Sequence, residues 1–210
     1  MAIKINLNKT ERILFCGSKW WGDPDMPENM QYPTVQVTEG GETYDYPLTF
    51  VCQINCEDIA GLDPENRLPH EGMLYFFAAI DECLGYETPY RTIIGEWPKG
   101  YAVVKYAKSI NFETFQSCQL VGDENESLTE PELEMVFEEC DDQADGIKLL
   151  GLPHGWDVSA VYPEHRNLLQ ISGCQEAGLN FGSGLSLNIL MKDSDLKFGN
   201  WKRSKAVFRA

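Results

Sequence analysis

Eight short runs of aliphatic, aromatic and β-branched residues, each closed by Gly-, Pro-, Asp- or Asn-rich turns, constrain this chain more than any other feature. Residues 3–7 and 34–38 alternate apolar and polar side chains, the period of a half-buried strand. Residues 48–54 and 73–80 are nearly continuously apolar, as central strands covered on both faces are. Residues 101–106, 168–171, 185–191 and 206–208 complete the set; Lys205 and Arg209 bracket the last, which reads as a charged sheet edge. Turn composition at 22–27 and 61–66 has a mechanism, since Pro presets φ and Gly supplies positive φ.

Helical signals are few. Thr129 and Glu132 form a capping box, Pro131 sits in the first turn, and Leu133, Val136, Phe137 and Cys140 follow at i, i+3, i+4 and i+7. This spacing predicts an amphipathic helix over 129–140, although Glu138, Glu139 and Asp141 at its C-terminal end oppose the helix dipole. Single helical turns are expected after Asn55 and from Asp193 to Gly199. The fold class is therefore α+β and mostly β, with twisted antiparallel or mixed sheets and few short helices.

Short segments recur along the chain. Gly22-Asp-Pro24, residues 51–54 and residues 72–76 are echoed by Gly151-Leu-Pro153, residues 168–171 and residues 184–188. Residues 1–210 are read as a single domain whose parts, about 1–110 and 147–210, are candidate pseudo-repeats joined by an acidic helical segment, 122–146. Gln53 and Gln170 are then equivalent, each a buried amide that must be hydrogen-bonded.

The formal net charge is −16, from 33 acidic and 17 basic side chains. Such an excess repels phosphate backbones and anionic lipid surfaces, so neither a nucleic acid nor a membrane is expected as partner. The charge is localised: residues 122–146 hold eleven acids and no Lys or Arg, while residues 192–209 hold six bases and two acids. The acidic run reads as a solvated connecting arm or as a face that steers a basic protein. The partner-binding candidates are Asp123, Glu124, Glu126, Glu134, Glu138, Glu139, Asp141, Asp142 and Asp145. Pairing with the basic stretch 192–209 is the competing use of those charges. A calcium loop at 141–146 lacks its acidic twelfth position, which is Leu152, so no metal is expected there.

Met1 to Thr10 alternates without an apolar h-region, and no run approaches a membrane span, so a cytoplasmic location is expected. Seven cysteines (16, 52, 56, 83, 118, 140 and 174) in an odd, scattered set fit reduced thiols. Cys52 and Cys56 lack a second Cys or His pair, so no metal or cofactor is expected. No Gly-x-Ser-x-Gly, Walker A, Gly-x-Gly-x-x-Gly or His-Glu-x-x-His motif occurs, and Cys16-Gly-Ser18 matches no defensible thiol-hydrolase spacing. No catalytic residue is assigned, and the reading leans away from an enzyme.

Five ordered blocks carry a family resemblance: Ser18-Lys-Trp-Trp-Gly-Asp-Pro-Asp-Met-Pro27 with Tyr32-Pro33; Pro47-Leu-Thr-Phe-Val-Cys-Gln-Ile-Asn55; Leu68-Pro-His-Glu-Gly-Met-Leu-Tyr-Phe-Phe77; Leu149-Leu-Gly-Leu-Pro153 with Leu168-Leu-Gln170; and Asp195-Leu196. Together they resemble the YwqG-like family of bacterial proteins, over about residues 18–210. Trp21 stands where that family usually has Gly, the run after Pro153 lacks an expected Gln, and 182–184 reads Gly-Ser-Gly in place of Asp-x-Gly. The resemblance implies a mostly β, cytoplasmic bacterial protein and brings no activity with it.

Two functions are thus expected. The leading one is a non-enzymatic binding module whose acidic segment engages a basic protein. The alternative is a small-ligand or carbohydrate module, with or without enzymatic activity, that uses loop Trp and Tyr residues. Its ligand-binding candidates are Trp20, Trp21, Asp23, Gln53, His70, Trp97, His154, Trp156 and Gln170; Tyr32, Tyr44, Tyr46, Tyr86 and Tyr90 share the same turn-rich settings.

Overall fold

The computed structural model describes residues 1–122, 125–182 and 184–209. In chain order its strands are β1 (Ala2–Lys9), β2 (Lys19–Trp20), β3 (Asp25–Pro27), β4 (Thr34–Glu39), β5 (Glu42–Pro47), β6 (Thr49–Asn55), β7 (Met73–Ala78) and β8 (Gly95–Glu96). There follow β9 (Ala102–Ala107), β10 (Phe115–Ser117), β11 (Leu133–Cys140), β12 (Lys148–Leu149), β13 (His165–Ser172), β14 (Ser186–Lys192) and β15 (Lys205–Arg209). The α-helices are single turns: α1 (Cys56–Ile59), α2 (Asp81–Leu84) and α3 (Asp193–Lys197). The mostly β architecture is the one the sequence predicts.

Among the described residues one antiparallel sheet of eleven strands runs β8-β15-β14-β13-β12-β1-β11-β2-β6-β7-β9. It curls until its ends meet, with the ring of Tyr106 on β9 lying 5.8 Å from that of Trp201 ahead of β15. The inner face carries the main core, to which both ends contribute: Ile3, Trp20, Phe76, Leu149, Leu169, Ile189 and Phe208. The outer face of β6 and β7 is covered as well. There the β4–β5 hairpin lays Val35 and Val37 on Phe50, Tyr75 and Phe77. That hairpin turns through Gly40 (φ 61°) and Gly41 (φ 90°), the two consecutive positive φ values that a tight hairpin matching the strand twist demands.

Two expectations are corrected. Residues 133–140 form β11 at the centre of the sheet and not a helix. A short apolar run fits both periods, and tertiary context decides. Leu133 and Met135 face the core, whereas Glu134 and Glu138 face out, where they meet Arg12 (2.8 Å) and Lys4 (3.4 Å). The capping-box residues serve elsewhere: Glu132 approaches Lys19 (3.5 Å) and Thr129 Oγ1 donates to Asp23 (3.3 Å). On a strand there is also no dipole for the acids at 138–141 to oppose. The second correction concerns β15, which is not an edge because β8 pairs beyond it.

The register relates the two ends of the sheet by a fixed correspondence. β1 meets β12 through Ile3–Leu149 and Lys4–Lys148, while β11 meets β2 through Leu133–Trp20 and Glu134–Lys19. Between them, β1 and β11 pair with Asn6 opposite Val136. Lys19 lies opposite Gln53 as Lys148 lies opposite Gln170. Each glutamine ties down a loop in the same way. Gln53 Nε2 donates to Gly17 O and its Oε1 accepts from Asp25 N; Gln170 Nε2 donates to Gly146 O and its Oε1 accepts from His154 N. Trp21 and Leu150 both take positive φ (61° and 60°), and each is followed by a glycine at φ 73°. Both β6–β7 and β13–β14 slip register at matching places, between Phe50 and Cys52 and between Asn167 and Leu169. Beyond the slip, Thr49 corresponds to Arg166 and Ala78 to Met191, and the chain then enters α2 and α3. Across the next strand Tyr75 lies opposite Gln53 and Asn188 opposite Gln170, one residue away from the echo of 72–76 in 184–188.

Candidate functional site

A cleft of about 400 Å³ opens where β6 begins, between the β5–β6 turn, α2 and the segment 127–130. Its walls are aromatic and apolar, from Trp21, Tyr46, Leu48, Phe50, Leu84, Tyr86 and Leu128. Its polar groups are Thr49, Ser127 and Thr129 with the carboxylates of Asp81, Glu87 and Glu130; among the described residues no Lys, Arg or His lines it.

Local sequence explains the arrangement. β6 is anchored by Gln53 at one end and leaves its first residue, Thr49, at the mouth of the cleft. β7 runs through Ala79 and Ile80 into α2, which places Asp81 in the first turn, where an acidic side chain suits the helix dipole. Thr49 Oγ1 donates to Asp81 Oδ1. The hydroxyls of Tyr46 and Tyr90 lie against the same carboxylate. Burial, followed by the Asp81 charge, pushes Tyr46 up to about 12 and raises Tyr90 as well, so both stay protonated donors. On the opposite wall Tyr86 donates to Glu130, which raises that phenol too. Asp81 thus meets neutral hydroxyls, and among the described residues no cation pairs with it.

The tryptophans named from sequence do not converge. Trp20 is fully buried in the core, edge-on to Trp21 (5.4 Å). Trp21 lines the cleft and donates from Nε1 to Ala177 O (3.0 Å). Its positive φ sits where the family resemblance leads one to expect Gly, a residue without the steric cost of that conformation. Trp97 bonds Ile93 O at the far end of the sheet, and Trp156 lies under the guanidinium of Arg209 (4.5 Å). Asp23, raised by burial, is held by Thr129 beside the cleft without lining it.

His70 Nε2 lies 3.6 Å from Asp63, and His154 is tied to Gln143 O and Gln170. Cys16 is buried with its thiol pushed up to about 11 by burial and Asp25, the reverse of what a nucleophile needs. Among the described residues no group of three or more His, Cys, Asp or Glu is placed to hold a metal. Sequence reasoning passed over Thr49 and Asp81; the signal that could have found Asp81 is an acid opening the helical turn after β7, as Asp193 does after β14.

Much of the acidic run is consumed inside the fold. Glu134 and Glu138 pair with Arg12 and Lys4, and Asp142 pairs with the Met1 ammonium (2.5 Å). Asp141 and Asp145 cap the backbone N–H groups of Gln143 and Gly146. Glu126 and Glu139 are exposed, while Asp123 and Glu124 lie outside the described residues. In the basic stretch, Lys192, Arg203 and Lys205 pair with Glu164, Asp195 and Glu96. Among the described residues no helix is long and apolar enough to cross a membrane.

Residues 18–208 match the family described as Domain of unknown function (DUF1963). No curated protein matches the chain.

Proposed function

Because this chain belongs to the DUF1963 family, whose description assigns no activity, we propose its function from the cleft: a non-enzymatic module that binds a small organic cation. The observation that carries the reading is Asp81, a carboxylate among aromatic walls with hydroxyl partners and no protein cation. Aromatic faces attract cations, and a partly desolvated carboxylate gains most from one. Glu87 and Glu130 at the same cleft add to the negative field.

The test is a thermal-shift titration with alkylammonium and alkylguanidinium salts against neutral isosteres. At a hundredfold excess over Kd a ligand adds about 2.7 kcal/mol of stability. Cations should raise Tm, neutral isosteres should not, and Asp81→Asn should abolish the shift. Equal responses to charged and neutral compounds would refute the reading.

Capture of a basic protein by residues 122–146 is held second, because Glu134, Glu138 and Asp142 already have cationic partners within the chain. We read the YwqG-like resemblance as this same family, since its blocks fall almost wholly within the matched residues. On that reading, and with seven free thiols, the protein belongs in a bacterial cytoplasm.

A further inference from the structure

The C-terminal part of the sheet contains a counterpart of this cleft in which a cation is already present. Thr49 and Arg166 occupy matching positions, each at the start of its strand and before the register slip. Asp81 and Asp193 each open the helical turn that follows the neighbouring strand, with Asp193 one register position nearer its strand than Asp81. In both places the strand residue bonds the helix carboxylate: Thr49 Oγ1 to Asp81, and Arg166 Nε to Asp193 at 2.8 and 3.0 Å. Where the C-terminal unit spends an arginine, the N-terminal unit has a short hydroxyl side chain and an open cleft.

From this correspondence we infer that the cleft receives a guanidinium group, lodged against Asp81 as the guanidinium of Arg166 is lodged against Asp193. The inference rests on the organic-cation reading and narrows it to one chemistry. A planar guanidinium can bond a carboxylate in its own plane while its faces stack on aromatic rings, and Tyr46, Phe50 and Tyr86 supply such rings here. An ammonium is a more strongly hydrated point charge, and it gains less from that geometry. Asp193 is exposed whereas Asp81 is half-buried, so the same contact in the cleft is less screened.

The experiment is calorimetric titration of the full chain with butylguanidinium, butylammonium and neutral butylurea. Binding of butylguanidinium at least tenfold tighter than butylammonium, with no binding of butylurea, is the expected result. Equal affinity for the two cations, with none for the urea, would overturn the guanidinium inference and leave the organic-cation reading standing. Equal affinity for all three, or binding of none, would overturn both. A blocked Gly-Arg-Gly tripeptide distinguishes the source of the group. Affinity at or above that of butylguanidinium assigns an arginine side chain, weaker affinity assigns a free guanidino compound, and either supports the chemistry.

Thr49→Arg supplies the group in cis, and it should retain the fold while losing at least tenfold in affinity for butylguanidinium. A folded Thr49→Arg that binds with unchanged affinity would overturn the inference. Should that variant fail to fold, the smaller change Asp81→Asn decides on the same criterion.

Discussion

Replacing Asp25 with Ala tests a buried charge held by three hydrogen bonds and an ion pair. Asp25 is fully buried, and its carboxylate accepts from Cys16 N (2.8 Å), Gln53 Nε2 (2.8 Å) and Ser117 Oγ (2.6 Å) while pairing with Lys19 Nζ (2.9 Å). Lys19 is itself 3% exposed, so truncation strands a buried ammonium together with three donors. Breaking one partner of a buried pair costs about 3–5 kcal/mol, because the remaining charge stays desolvated. Glu132 at 3.5 Å from Lys19 offsets part of this, which places the loss at about 3–4 kcal/mol. For a chain of this size that is a fall in Tm of roughly 6–16 °C. Urea unfolding is the assay, with the m-value as a check that the surface exposed on unfolding is unchanged. Removing both charges, by Lys19→Met with Asp25→Leu, should recover most of the loss, since a buried pair is often no better than an apolar replacement. A loss below about 1.5 kcal/mol for Asp25→Ala at constant m would refute the reasoning, for it would mean that water reaches Lys19.

Lys148, the counterpart of Lys19, donates from its ammonium to the carbonyls of Asp142 (2.8 Å) and Ala144 (2.6 Å), and burial lowers its pKa from the ordinary 10.5. A lowered lysine is a penalty on folding that is fully present below the folded pKa and is relieved as pH rises through it toward the unfolded value. Wild-type stability relative to Lys148→Met should therefore rise between neutral and alkaline pH in chemical denaturation, and a gap independent of pH would count against burial as the cause. The strand at 133–140 makes a second prediction. Met135→Ala should cost about 2–4 kcal/mol and Val136→Ala less than about 1, because Met135 is 6% exposed and Val136 44%. Equal losses would restore the helical stripe, which includes Val136 and omits Met135. Asp81→Asn should leave stability within about 1 kcal/mol while removing the thermal response to cations.

What the sequence revealed, and what it withheld, follows from how far each signal reaches. β6 and β7 declared themselves because a strand covered on both faces must be apolar throughout, as residues 49–55 and 73–78 nearly are. β2, β8 and β12 were silent, since two residues carry no period. β11 was misread because its partners, Lys4 and Arg12, lie more than 120 positions away and no local window contains them. The buried glutamines could be found as polar residues inside apolar strands, and their tie to the preceding loops was inferable from the need of a buried amide for partners. The cleft was half legible. Trp21, Tyr46 and Tyr86 stood out by type, but Thr49 and Asp81 acquire meaning only beside Arg166 and Asp193, a comparison that needs the register.

The placement of β1 also has a consequence for how the chain is made. Both neighbours of this strand, β11 and β12, lie in residues 133–149, so each of its edges waits for a partner that is translated much later. At about 5–20 residues per second, that interval lasts on the order of ten seconds. Throughout it the nascent chain displays an unpaired apolar strand, with Ile3, Ile5 and Leu7 on one face, while β2, already able to pair with β6, awaits β11 on its other edge. Closure over such a distance makes folding slow and places it late in synthesis, when the ladder at the middle of the sheet joins its two ends in a single event. Until then the unpaired edges of the emerging polypeptide are open to pairing with other strands.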